Sequence, residues 1–173
     1  HRYRYNTYTD TKKMHLTFIK KILKHYNRKL TDICETLGIN YSKLTYALRS
    51  EDIMIKKVTQ LMDAAGLDCE FAIIKDMDDE KYQALASRWE RPGTTQDRRM
   101  GAILDLKKEK MTFKSIAGMM GYAPTTLSTE VKERDNCYLS RLLQLSDNLG
   151  RTLICRTRPK GSGDAHITVE FLS

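Results

Sequence analysis

Residues 30–49 read LTDICETLGINYSKLTYALR, and residues 113–132 read FKSIAGMMGYAPTTLSTEVK. Superposed at an offset of 83, the two stretches match without a gap: Ile33 falls on Ile116, Leu37 on Met120, Gly38 on Gly121, Leu44 on Leu127 and Leu48 on Val131. One inserted residue then moves the offset to 84, and Ile55, Val58, Gln60, Leu61, Asp63 and Gly66 fall on Leu139, Leu142, Gln144, Leu145, Asp147 and Gly150. Apolar positions of unrelated helices often align by chance. Two glycines keeping step with them over about 37 positions is a stronger sign, because self-similarity at a fixed spacing marks a repeated structural unit. The chain is therefore read as a tandem duplication.

Each copy predicts four short helices and a strand. Met14, Phe18, Ile22 and Tyr26 recur every four residues, placing them on one face of a helix that ends before Asn27. Thr31 is a candidate N-cap for a second helix through Leu37, which Gly38 stops by taking the left-handed conformation. Asn40 caps a third helix, Tyr41 to about Arg49, and the spacing of Met54, Ile55, Val58, Leu61, Met62 and Ala65 predicts a fourth that ends at Gly66. The second copy repeats the order, with helices around Met100, Ile103 and Leu104, from Thr112 to Met120, from Pro124 to Lys132, and from Tyr138 to Leu149. Pro124 suits a first helical position, where no N–H is needed. Residues 67–74 (LDCEFAII), 152–158 (TLICRTR) and 166–172 (HITVEFL) read as strands, the last two joined as a hairpin by the turn PKGSGDA.

The expected fold is mainly α with a small β component: two tandem helix-turn-helix helical domains, each followed by a strand, with a C-terminal β-hairpin. The expected boundaries are a first domain at 12–75, a connecting helix (Tyr82, Leu85, Ala86, Trp89) and linker at 76–96, and a second domain at 97–173. Residues 1–11 carry little weight.

The chain has 173 residues, 40% of them hydrophobic, enough for a packed core without disulfides or a metal. Its 30 basic and 22 acidic side chains give a formal charge of +8, which points toward a polyanionic partner. Residues 1–75, 76–96 and 97–173 carry +6, −2 and +4, so both copies are basic and the connector is not. No apolar run approaches a membrane span and no signal-peptide pattern is present, so the chain is expected to be soluble and unexported. Cys34, Cys69, Cys137 and Cys155 are too widely spaced for a zinc or redox motif and read as reduced, with Cys34 and Cys155 at apolar positions. His1, His15, His25 and His166 are equally scattered, and no metal or cofactor is expected.

A helix, a glycine-centred turn and a second helix present that second helix at a steep angle, and in DNA-binding proteins it enters the major groove. With Ile33, Leu37, Leu44 and Leu48 facing inward, the third helix leaves Tyr41, Ser42, Lys43, Thr45, Tyr46 and Arg49 outside. The corresponding outward set is Pro124, Thr125, Thr126, Ser128, Thr129 and Lys132. Hydroxyl and basic side chains of this kind can meet base edges or phosphates.

The stretches TDICETLGINYSKLTYALR and MTFKSIAGMMGYAPTTLS, followed by IKKVTQLMDAAG and LSRLLQLSDNLG, resemble the lambda repressor and Cro-like helix-turn-helix superfamily over about 60 residues of each half. SRLLQLSDNLGRTLICR is similar to that family's last helix and following strand. The resemblance implies recognition helices at 41–49 and 124–132, double-stranded DNA as partner, and a cytoplasmic transcriptional regulator, a repressor, of a bacterium or mobile element. Two features depart from the family pattern: Ala123 stands where a Ser or Asn cap is usual, and Glu130 adds an acidic group.

Other motifs have plainer readings. Asp76, Asp78, Asp79 and Glu80 suit the N-terminus of the connecting helix better than a metal cluster. Gly161, Ser162 and Gly163 lack the flanking elements of a phosphate loop. Arg2, Tyr3, Arg4, Tyr5 and Tyr8 read as an unfolded end or a minor-groove arm, and Trp89 as packing between the copies. No catalytic arrangement stands out, so a non-enzyme is expected. The alternative is an antitoxin-like or other protein-interaction module, docking a protein partner or a second copy through its small sheet. RNA binding has less support, as no RNP-like strand or Gly-x-x-Gly loop is present.

Overall fold

A computed structural model describes residues 2–6, 14–50, 52–75, 95–134, 136–161 and 167–172. The expected connecting helix with Trp89, the acidic run 76–80, Tyr8, Ser162, Gly163 and His166 lie outside these residues. The elements are β1 (Arg2–Asn6), α1 (Met14–His25), α2 (Leu30–Leu37), α3 (Tyr41–Ser50), α4 (Ile55–Ala64), β2 (Leu67–Ile74), α5 (Thr95–Lys108), α6 (Phe113–Met120), α7 (Pro124–Thr129), a π-helical turn (Glu130–Arg134), α8 (Leu139–Leu149), β3 (Thr152–Pro159) and β4 (Ile167–Leu172). The protein is mainly helical with a small sheet, and a strand follows the last helix of each copy.

The sequence repeat reappears bond for bond in the backbone. α1 and α5 both end at a non-glycine residue in the left-handed region, Asn27 (φ 56) and Lys110 (φ 69), 83 positions apart. The amide after each reaches back to close the helix, Arg28 N to Leu23 O at 2.8 Å and Met111 N to Leu106 O at 3.1 Å. α2 and α6 end at Gly38 (φ 67) and Gly121 (φ 74), and Ile39 N to Cys34 O matches Tyr122 N to Ala117 O, both 2.9 Å. This is the left-handed closure that a side chain resists and glycine permits.

Three local expectations are corrected. Thr31 is not a cap: α2 starts at Leu30 with Lys29 at the N-cap and no side-chain cap bond. The position equivalent to Lys29 is Thr112, whose hydroxyl accepts from Ser115 N at 3.1 Å. The helix expected at 124–132 is α-helical only to Thr129 and continues as the π-helical turn. A π turn takes up one extra residue inside a helix, and it lies where the offset slips from 83 to 84. Finally, residues 2–6 form a strand rather than a free arm, pairing in parallel with β4.

The sheet order is β1-β4-β3-β2, with β3 antiparallel to both β2 and β4. One apolar cluster runs through both copies, including Phe18, Ile22, Leu61, Met100, Leu145 and Phe171. α1 packs on strands of the second copy: Phe18 meets Phe171 edge to face at 5.3 Å. The Tyr26 hydroxyl donates to Thr157 O at 2.9 Å and accepts from Ile167 N at 3.1 Å. α5 of the second copy lies on β2 of the first. The copies are thus interleaved.

Candidate nucleic-acid interface

The joint between the copies has a local two-fold. Ile55 N donates to Cys137 O and Leu139 N donates to Ile53 O, each at 2.8 Å, around the bridged pair Met54 and Tyr138. Under the offset of 84 each of these bonds is the image of the other. The side chains repeat the exchange: Lys56 N donates to Asn136 Oδ1 at 3.0 Å, and Ser140 N to Asp52 Oδ1 at 3.2 Å. Each copy therefore caps the other's helix, Asn136 on α4 and Asp52 on α8, satisfying amides that a helix start leaves open. In the sheet, Phe71 pairs with Cys155, also 84 apart. At both contacts, therefore, the residues that meet are equivalent positions of the two copies.

Sequence reasoning missed the crossed caps. The signal was present, since Asp52 and Asn136 are cap-type residues at equivalent positions. They stand two residues before the N-cap positions of their own helices, Met54 and Tyr138, however, and nothing local says that the acceptor belongs to the other copy.

On α3, Leu44 and Leu48 enter the core, while Tyr41, Ser42, Lys43, Tyr46 and Arg49 are exposed, Tyr46 at 69%. Asn40 caps the helix as expected, accepting from Lys43 N at 3.0 Å. Thr45 is a correction: it is buried, and its hydroxyl donates to Ser42 O at 3.1 Å. Leu37 is another, 40% exposed where its counterpart Met120 is fully buried.

On α7, Leu127 is buried and Pro124, Thr125 and Thr126 are exposed. Ser128 and Thr129 are half-buried rather than outside, and the Thr129 hydroxyl donates to Thr125 O at 3.0 Å. Lys132 is exposed, with its ammonium 5.5 Å from the centre of the Phe113 ring. Lys107 lies 4.4 Å from the same ring. Glu130 is buried and paired with Arg134 at 3.0 Å, so the acidic group is neutralised within its own turn.

Two clefts flank the two-fold. One, of about 370 Å³, includes Lys56, Lys57, Gln60, Asn136 and Tyr138. The other, of about 380 Å³, is lined by Asp52, Tyr138, Ser140, Arg141 and Gln144. Arg141 is held in place, donating to Met120 O at 3.1 Å and stacked 4.9 Å from the Tyr122 ring.

The fold also brings together a serine, an aspartate and a histidine that the sequence keeps apart. The Ser140 hydroxyl donates to Asp52, and His15 Nε2 lies 3.8 Å from the same carboxylate. Asp52 stands between the other two, so the imidazole does not reach the hydroxyl as an activating base would. Burial lowers the His15 pKa, and Asp52 partly offsets it. The four cysteines are buried and free. Burial, with Glu130 and Asp52 adding, pushes the Cys137 thiol up to about 12, which disfavours the nucleophilic thiolate.

Among the described residues, no helix is long and apolar enough to cross a membrane, and no group of three or more His, Cys, Asp or Glu is arranged to hold a metal ion. No family model, curated protein or solved structure matches the chain.

Proposed function

We propose that the protein is a sequence-specific double-stranded-DNA-binding transcriptional regulator, a repressor, whose two helix-turn-helix units act as an intrachain pseudo-dimer. The observation that supports this reading is the crossed pair of backbone and cap bonds at Met54 and Tyr138, which join equivalent positions of the two copies as a symmetric dimer joint would. Dimeric helix-turn-helix proteins match their own two-fold to that of the operator, with half-sites about 34 Å apart. Here both units are in one chain. The glycine-stopped first helices, the polar outer surface of α3 and the +8 charge support the same reading. β3 pairs with β2 on one side and β4 on the other, so the sheet is engaged in joining the two copies.

Hydroxyl-radical footprinting of the purified chain on selected duplexes tests the proposal. Two protected patches about one helical turn apart are expected, with affinity falling steeply as salt rises. Protection of a single half-site would sink the pseudo-dimer, and the absence of salt-dependent duplex binding would sink the whole reading. Lys43→Ala or Arg49→Ala should cost roughly 1–3 kcal/mol on the preferred sequence if the side chain meets a base edge.

A further inference from the structure

Resting on that reading, we infer that the two copies divide the work: α3 reads sequence, while the second copy grips the phosphate backbone through lysines gathered around Phe113 and selects no bases. Lys43 and Arg49 are exposed on α3, and among the described residues neither is paired with a carboxylate. An arginine presents a planar fork that fits guanine, and a lysine can reach the same acceptors.

The counterpart helix is built differently. α7 has six residues before the helix widens. Pro124 brings no donor, the Thr129 hydroxyl is bonded to its own helix, Lys132 lies by Phe113 and Arg134 by Glu130. Its exposed hydroxyls, Thr125 and Thr126, are short and hydrogen-bond to either kind of base pair or to phosphate.

The second copy gathers a basic corner on an aromatic ring; the first is also basic there, with Lys24, Arg28 and Lys29 exposed, but it has no ring at that position to collect them and its Arg28 is tied to Ala65 O at 2.9 Å. Lys107 and Lys132 approach the Phe113 ring at 4.4 and 5.5 Å, and Lys108, Lys110 and Lys114 are exposed along the same turn. Of the acids nearby, Glu109 is paired with Arg151 at 2.8 Å and Glu130 with Arg134 at 3.0 Å, while Glu133 is exposed beside Lys132. At an offset of 83, Lys107, Lys108, Lys110 and Lys114 correspond to Lys24, His25, Asn27 and Thr31, and Phe113 to the buried Leu30. Compact ammonium groups clustered without hydrogen-bond acceptors suit phosphate oxygens, an interaction that fixes position without reading sequence.

The test is selection of the full chain on random duplexes, followed by binding of selected and scrambled duplexes across a salt series. The wild type is compared with K43A/R49A, K107Q/K114Q and T125A/T126A, with circular dichroism melting as the check that each variant folds. Base preference is expected in one half-site, with the other footprinted but unselected. K107Q/K114Q should weaken both duplexes by the same factor and reduce the slope of log K against log salt by about 0.9 for each phosphate no longer neutralised. K43A/R49A should cut the selected-to-scrambled ratio by roughly ten-fold or more, and T125A/T126A should leave it unchanged. Comparable base preference in both half-sites, or a changed preference in T125A/T126A, overturns the division of labour while leaving the pseudo-dimer standing. Failure of the wild type to bind any duplex at low salt overturns both.

Discussion

The two copies share a backbone plan and differ in what they place on it. In the first, α3 runs as a regular ten-residue helix with exposed tyrosines and cations; in the second, α7 gives way after six residues to a π turn in which Glu130 and Arg134 pair internally. Where the copies meet, the difference disappears: the same kinds of backbone and cap bonds are exchanged in both directions. The copies are alike at the joint and in the core, where packing and crossed bonds leave little choice, and differ on their outward faces.

The largest expected effect comes from breaking the shared core at equivalent positions. Leu61 and Leu145 are counterparts, both fully buried in one cluster. Leu61→Ala and Leu145→Ala should each cost about 2–5 kcal/mol, and urea titration should give one cooperative transition moved by either substitution. Two transitions, with each substitution shifting only one, would mean that the copies fold independently despite their common sheet.

The crossed caps come next. Asp52→Ala and Asn136→Ala should each destabilise by roughly 0.5–2 kcal/mol, the usual range for removal of an N-cap. Asn136 belongs near the top of that range, since it is buried and also donates to Met54 Sδ at 3.4 Å. Because both caps span one joint, the double variant should depart from additivity in a double-mutant cycle. Strict additivity would argue that the two bonds act as separate local caps.

Much of this architecture was legible in the sequence because it rests on local chemistry. The glycines at 38 and 121 demand a left-handed stop, Asn40 is a cap by type and place, and the apolar spacing of α4 and α8 leaves one way to bury them. The inserted residue was visible as a slip of the offset, but its form was not, since a sequence gap does not distinguish a longer loop from a π turn. The burial of Thr45 and exposure of Leu37 were misread because each lies at the margin of its helix's apolar stripe, where tertiary packing decides. The crossed caps, the interleaving of α1 and α5, and the lysine corner depend on contacts between distant residues, about which periodicity within one copy is silent.

A finer comparison sets Gly38→Ala against Gly121→Ala. Both residues have positive φ, so each substitution should cost roughly 1–2 kcal/mol from the backbone alone. A Cβ at Gly38 meets nothing within 4 Å, whereas one at Gly121 would fall 2.7 Å from Arg141 Nη1. Gly121→Ala should therefore lower the thermal midpoint more, by the added disturbance of the Arg141 bond to Met120 O. The excess should vanish in an Arg141→Ala background, and its persistence there would reject the steric cause.

The smallest expected effect is an acid sensitivity confined to the first copy. His15 is buried, its Nδ1 has no hydrogen-bond partner among the described residues, and its counterpart at an offset of 83 is Arg98, which does not titrate in this range. Burial lowers the folded-state pKa below the ordinary value of 6.5, with Asp52 opposing. As pH falls through about 6.5, the unfolded chain takes up a proton that the folded chain resists, so this contribution is complete above that pH and declines below it. Urea midpoints at about pH 7.5 and about pH 5.5, which bracket the unfolded histidine's pKa, should therefore fall more in the wild type than in His15→Gln, which keeps a polar group near Asp52 but does not titrate. If Asp52 instead governed the imidazole, the folded pKa would be raised and the wild type would gain on the variant in acid. The sign of the difference between the two proteins thus decides whether burial or the cross-copy carboxylate controls this histidine.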